Sequence, residues 1–114
     1  MPDQARKHSK PQEGISIVVP SYNEQESVVD TAHQLIDAME STDRPYEILF
    51  VDDGSTDETA RKLEESGLDV RVVRNEHNMG YGASIKRGVD ESTQPLIAIT
   101  DADGTYPNER LPDL

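Results

Sequence analysis

Two aspartates separated by one alanine, Asp101-Ala102-Asp103, stand directly after a short apolar run. Carboxylates so spaced at a strand end can both reach one hard divalent cation, which takes oxygen ligands and keeps positions open for phosphate oxygens. A solvated turn with a helix-capping aspartate accounts for the same residues. A calcium loop does not: counted from Asp101, the sixth position is Tyr106 and the twelfth Pro112, where glycine and glutamate are required. Asp52-Asp53-Gly54 also closes an apolar run. A carboxylate there can accept from a ribose hydroxyl or a base N–H, or it can serve the turn and cap the helix that follows. Tyr22-Asn23-Glu24 offers a ring able to stack on a base and a carboxylate able to reach a ribose, or else an acidic first helical turn.

Asn78-Met79-Gly80-Tyr81-Gly82 has the look of a dinucleotide fingerprint, but its third glycine position is Ile85 and it follows the third apolar run, not the first. A phosphate-binding P-loop fails as well, because no glycine stands at the required spacing before a Gly-Lys pair. What remains is a turn at a helix N-terminus, a place suited to anions. Lys86 and Arg87 follow within two turns, either facing a phosphate or simply solvated.

The elements that must position these groups can be read from periodicity. Ile15–Pro20, Tyr46–Val51, Val70–Val73 and Pro95–Thr100 are dense, partly β-branched runs of buried-strand type. Between the first two, Val28, Val29, Ala32, Leu35, Ile36 and Met39 recur on one helical face, predicting a helix from about Glu24 to Glu40 capped by Asn23 or Ser21. Ser55-Thr56-Asp57-Glu58 fits a capping box opening a second helix, with Ala60, Leu63 and Leu68 inward and Gly67 as its stop. A third helix is predicted from Gly80 to about Glu91. The order β-α-β-α-β-α-β with short connections implies an α/β fold, a mostly parallel sheet with helices on both faces. Ligands of such sheets bind at the carboxyl ends of the strands, where all four unusual segments lie.

Composition narrows the partners. The net charge of -12 repels nucleic-acid phosphates and offers no basic face to anionic lipid. A phosphorylated ligand would therefore need a cation or a focused donor site. The absence of cysteine removes disulfides, thiolate metal sites and cysteine nucleophiles. His8, His33 and His77 lack ligand spacing. No apolar stretch approaches the roughly 20 residues that span a bilayer, and no hydrophobic region follows Arg6, Lys7 and Lys10. These features predict a cytoplasmic segment.

In combination, Val18-Val19-Pro20-Ser21-Tyr22-Asn23-Glu24, Val51-Asp52-Asp53-Gly54-Ser55-Thr56-Asp57, Asn78-Met79-Gly80 and Asp101-Ala102-Asp103-Gly104 resemble family 2 glycosyltransferases in order and spacing, over about residues 14–112. The Asp-Ala-Asp followed by Tyr106-Pro107 is most similar to the dolichyl- or polyprenyl-phosphate sugar transferase branch. The resemblance implies a GT-A, Rossmann-like fold that binds a nucleotide-diphosphate sugar such as a UDP- or GDP-sugar. It places Pro20 and Tyr22 at the base, Glu24 beside the nucleoside, Asp53 at the base or ribose, and Asp101 with Ala102 on the ribose and sugar side. Lys86 is carried as a further donor-site candidate. Asp103, with Asp101, would hold Mg2+ or Mn2+ at the diphosphate, and transfer would invert the anomeric centre.

Family members also need a general base, which the resemblance places in an acceptor-binding half. No base is identified up to Leu114; Glu109 and Asp113 are not assigned that role, and Thr105 stands where this branch sometimes carries an amide. The expected organisation is a disordered polar tail over 1–13 and a donor-binding part over 14–114, inactive in transfer alone. A lipid phosphate is the expected acceptor, at the cytoplasmic face of the membrane, and a homo-oligomer through an exposed apolar side is expected. A phospho-acceptor receiver domain would need paired acids at the first strand, where Pro20-Ser21 stands. A non-catalytic nucleotide-binding module remains as the alternative.

Overall fold

A computed structural model describes residues 13–102. The tail expected over 1–13 lies outside the described residues except for Glu13, and so does the chain from Asp103 onward. In chain order the elements are β1 (Ile15–Ser21), α1 (Val28–Glu40), β2 (Tyr46–Asp52), α2 (Thr59–Glu65), β3 (Arg71–Arg74), α3 (Tyr81–Glu91) and β4 (Leu96–Ile99). The four strands form one sheet in the order β3-β2-β1-β4, and every pairing is parallel.

The strand order explains where the helices lie. From β1 through β3 the chain advances in one direction across the sheet, then crosses back over β2 and β1 to place β4 on the far side. Parallel crossovers are right-handed almost without exception, so a reversal of direction moves the connecting helix to the opposite face. Accordingly α1 packs with α2 on one face, while α3 packs on β1 and β2 from the other. The helices thus cover both faces, as expected.

Side-chain alternation divides the core in two. Register pairs Ile17 with Ile48 and Val19 with Phe50 on the α1/α2 face, joined by Val28, Ala32, Leu35 and Leu63. Fully buried aliphatic and aromatic side chains such as Leu35 and Phe50 each contribute about 2 kcal/mol. On the other face, Val18, Leu49 and Val51 form a thinner cluster. There α3 comes close because its buried residues are small, Ser84 and Gly88. A Cβ on Gly88 would sit 2.3 Å from Cγ1 of Val18. Gly88→Val is therefore expected to lower stability by about 2 kcal/mol through overpacking, measured as a lowered urea midpoint with an unchanged slope. β4 closes one edge and leaves Leu96, Ile97 and Ile99 substantially exposed.

Two local expectations need correction. The first helix begins at Val28, not Glu24, and Ser27 is its cap residue. Asn23 is not a cap; it lies in the left-handed region (φ 52°), which asparagine tolerates better than most residues. The capping box is also not formed: α2 begins at Thr59, and the Thr59 N–H is met by Asp57 Oδ1 at 2.9 Å. Ser55 instead donates to Asp52 Oδ1 and accepts from the Asn23 N–H at 2.9 Å. Asn23 Oδ1 accepts in return from the Thr56 N–H, the Glu24 N–H donates to Thr59 Oγ1, and the Gln25 N–H to Asp57. The loops after β1 and β2 are thus sewn together by side chains that would otherwise cap helices.

Candidate functional site

The reversal of strand order falls between β1 and β4, and the crevice at the carboxyl end of that seam is the expected place for a ligand. A cavity of about 350 Å³ opens there, within the range of small-molecule sites. Pro20, Ser21 and Tyr22 from the end of β1 and Glu24 beyond it form one wall. Asp53 rises from the end of β2. Asn78, Gly80, Tyr81 and Ser84 come from the loop and first turn leading into α3, and Asp101 with Ala102 from the end of β4. The four segments singled out in the sequence therefore meet at one rim.

The carboxylates of the cavity are held differently. Asp53 is 5% exposed. Its Oδ1 accepts from the Met79 N–H at 2.7 Å and from the Asn75 side-chain amide at 2.8 Å, and its Oδ2 accepts from the Gly80 N–H at 2.9 Å. Burial raises its pKa, but the bonds from Met79, Asn75, Gly80 and Ser84 outweigh this and hold the carboxyl below its usual value. Arg87 supports the arrangement from behind, donating to the Asn75 side-chain carbonyl at 2.8 Å and to the Arg74 carbonyl at 2.7 Å. Gly54 makes room for the same loop: its φ is 72°, and a Cβ would lie 2.4 Å from the His77 carbonyl carbon. Asp53 is thus the peg on which the Asn78–Gly80 loop hangs. Asp52 is turned away and accepts from Ser55 at 2.5 Å.

Asp101 differs. It is half-buried, lines the cavity, and has no hydrogen-bond partner among the described residues. Ala102 beside it is 2% exposed and packs into the main core. Tyr22 and Tyr81, 43% and 60% exposed, present rings on the cavity rim with aromatic surface available to a ligand. Lys86 does not line the cavity: its ammonium is largely solvated and pairs with Asp90 at 3.6 Å. Its position on α3 carries it outward, away from the Ser84 and Gly88 stripe that packs on the sheet. Among the described residues no three His, Cys, Asp or Glu side chains gather as a metal site. Asp103, the second acid of the proposed pair, lies outside the described residues.

Sequence reasoning placed Asn75 and Tyr81 in the loop at the rim without giving either a role, and it passed over Ser84. An aromatic residue at a helix start beside glycine was the available signal for a role of Tyr81. Nothing local marks Asn75 as the bridge between Asp53 and Arg87.

Residues 16–114 match the profile described as glycosyl transferase family 2. An undecaprenyl-phosphate 4-deoxy-4-formamido-L-arabinose transferase of Sodalis glossinidius (strain morsitans) is 39% identical over 104 residues, covering 88% of this chain and 32% of that protein. The chain therefore spans about a third of the length of this curated relative. Among solved structures, S. aureus TarS 1-349 in complex with UDP-GlcNAc superposes with a TM-score of 0.64 at 26% identity, over 79% of this chain and 26% of that one. Glucosyl-3-phosphoglycerate synthase from Mycobacterium tuberculosis, in complex with Mn2+, UDP and phosphoglyceric acid, does so with a TM-score of 0.61 at 26% identity, over 79% and 33% of the two chains. The parallel sheet is that of GT-A glycosyltransferases. No helix of the described residues is long and apolar enough to cross a membrane.

Proposed function

The chain belongs to glycosyl transferase family 2, and from this we propose that it is the donor-binding part of a metal-dependent, inverting transferase. The donor is a nucleotide-diphosphate sugar and the acceptor a polyprenyl phosphate. The observation that carries the reading is the cavity on the β1–β4 seam, where Asp101 offers a carboxylate not engaged by any described residue while Asp53 is committed to holding the loop opposite. The names of the similar proteins support the ligand classes: one acts on undecaprenyl phosphate, and others bind UDP-GlcNAc, or UDP with Mn2+.

In this reading Pro20 and Tyr22 receive the base, with the exposed tyrosine ring as a stacking surface. Glu24 lies at the nucleoside. Asp53 shapes that wall through the loop and offers its remaining acceptor capacity to base or ribose. Asp101, with Asp103, suits a hard divalent cation: carboxylate oxygens in an acidic chain that has no cysteine and no described histidine at the cavity. When bound, Mg2+ or Mn2+ supplies Lewis-acid stabilisation of the leaving diphosphate. We assign the general base and the acceptor site to parts of the family fold outside the third of the relative's length that these residues span, and expect residues 1–114 by themselves to bind donor without transferring it. The acceptor class implies work at the cytoplasmic membrane face.

The test is a titration of the chain with UDP, GDP and their sugars, with and without Mn2+. One nucleotide is expected to bind more tightly with Mn2+, and Asp103→Ala to abolish that enhancement, at least tenfold in Kd. Absence of any nucleotide binding, or equal binding with and without metal, would overturn the donor-site reading.

A further inference from the structure

Ser27 occupies the cap position of α1, where a serine hydroxyl ordinarily accepts from an amide of the first helical turn. Here it makes no capping bond. Its Oγ donates instead to the Ala102 carbonyl at 2.6 Å, across 75 residues of sequence. Thr31, four positions along and on the same helical face, donates its Oγ1 to the same carbonyl at 3.2 Å. In a helix a threonine hydroxyl commonly bonds back to the carbonyl one turn earlier; this one reaches across to the strand end. A carbonyl has two lone pairs, and both are taken by α1.

The Ala102 methyl is also fixed, being 2% exposed within the core cluster that contains Val28 and Ala32 of the same helix. One residue is therefore held at its side chain by apolar packing and at its carbonyl by two hydroxyls. Asp101 precedes it at the cavity, and the clamped carbonyl belongs to the peptide that leads into Asp103. A peptide plane held in this way has little freedom to swing. The two hydroxyls bond to nothing described but the Ala102 carbonyl; the tie from Ser27 to the tyrosine wall is a backbone one, its N–H meeting the Glu24 carbonyl at 3.0 Å, and the side-chain variants keep it.

We propose that Ser27 and Thr31 are positioning residues for the end of β4, holding the Ala102 peptide so that Asp101 is directed into the cavity for cation binding. The cation half of this proposal rests on the donor-site reading above. Neither hydroxyl touches the ligand in this scheme; both act through the backbone. The alanine between the aspartates has a matching role, since its small side chain lets the turn seat against α1.

The test uses the full chain with Ala102 labelled at its carbonyl carbon, in wild type, Ser27→Ala, Thr31→Val, the double variant and Thr31→Ser. The carbonyl 13C shift is expected to move in Ser27→Ala and further in the double variant, whether or not any ligand binds. UDP and GDP titrations with and without Mn2+ are then compared. The double variant is expected to weaken the Mn2+-dependent part of nucleotide binding roughly tenfold, leaving metal-free affinity unchanged, with Thr31→Ser like wild type. An unmoved carbonyl shift overturns the clamp itself. A moved shift with unaltered Mn2+ dependence, or an equal loss with and without metal, overturns its positioning role. A wild type that binds neither nucleotide nor Mn2+ overturns the donor-site reading and the cation role together, while the carbonyl shift still judges the clamp.

Discussion

Asp53→Ala is expected to lower stability by about 2–5 kcal/mol and to abolish nucleotide binding at the cavity. The substitution leaves the N–H groups of Met79 and Gly80 without the acceptor that now meets them at 2.7 and 2.9 Å. Each orphaned donor costs about 1–3 kcal/mol where water cannot replace the bond. Asn75 loses its partner as well, and with it the link from Arg87 to the loop. Asp53→Asn should be nearly as damaging, because an amide nitrogen would face either the Gly80 N–H or the Met79 N–H, donor against donor. Acid supplies an independent check. The folded-state carboxyl titrates below its ordinary 3.8, so its stabilisation is present above that value and is lost as pH falls through the lowered folded pKa. Urea unfolding should therefore show wild-type stability declining below about pH 4, with a shallower decline in both variants. A loss under 1 kcal/mol at neutral pH would show that the loop does not depend on this carboxylate.

Glu47→Gln acts at the opposite end of the sheet and separates stability from binding. Glu47 on β2 accepts from Ser16 at 2.5 Å and from the backbone and hydroxyl of Thr93 at 2.7 and 2.9 Å, and it pairs with Arg71 at 3.1 Å. Arg71 in turn reaches Glu91 at the end of α3. Burial raises the Glu47 pKa, but the bonds from Ser16, Thr93 and Arg71 prevail and bring it from 4.5 to about 2. Because the folded value lies below the unfolded one, the contribution is complete well above pH 4.5 and disappears as pH falls towards 2. A shift of this size corresponds to about 3 kcal/mol at neutral pH. Glutamine cannot carry the charge and presents donors where only donors point at it, so a loss of about 2–3 kcal/mol is expected, with the Glu47 share of the acid-dependent decline between pH 4.5 and 2 removed and the Asp53 share retained. Nucleotide affinity of the folded variant should match wild type, since none of these groups lines the cavity. Equal stability of the two proteins at pH 7 would contradict the assignment.

The strands were the most legible part of the sequence, because Ile15–Val19 and Ile48–Val51 are dense apolar runs whose burial needs no long-range information. Their register was not legible, because both faces of β1 and β2 are buried and alternation does not choose among alignments. The strand order was not legible. Nothing in Leu96–Ile99 says that it pairs with β1 rather than β3, and that choice creates the cavity. The first two helix starts failed for a related reason, while the third came at Gly80 as expected. Asn23, Ser55 and Glu58 have the composition of caps, but the first two hydrogen-bond across the two loops, and tertiary partners outcompeted the local bonds that sequence rules assume. The acidic residues were recognised by type and place, whereas their division of labour was not. The partners of Asp53 lie 22 to 27 residues further on, and Arg87 reads as a solvated helix cation until Asn75 is seen beside it.

β1 comes first among the described strands and lies inside the sheet, and its two neighbours differ in the distance at which they are recruited. β2 arrives after a single crossover. β4 arrives only after the whole of the rest of the described domain, closing a loop that spans β2, β3 and all three helices. The entropic cost of such closure grows with loop length, and pairings of high sequence separation form slowly. Among the described pairings, β1 with β4 thus carries the largest closure cost, while β1–β2 and β2–β3 are joined by shorter connections. The cavity lies across the β1–β4 seam, so the site exists only once β4 has docked. Until then Tyr22 and Asp101 stand on separate pieces of chain and the Ala102 carbonyl has no hydroxyls to meet. The capacity to bind therefore depends on a single pairing, and the described core without β4 in place would keep the β1–β2 packing yet have no site.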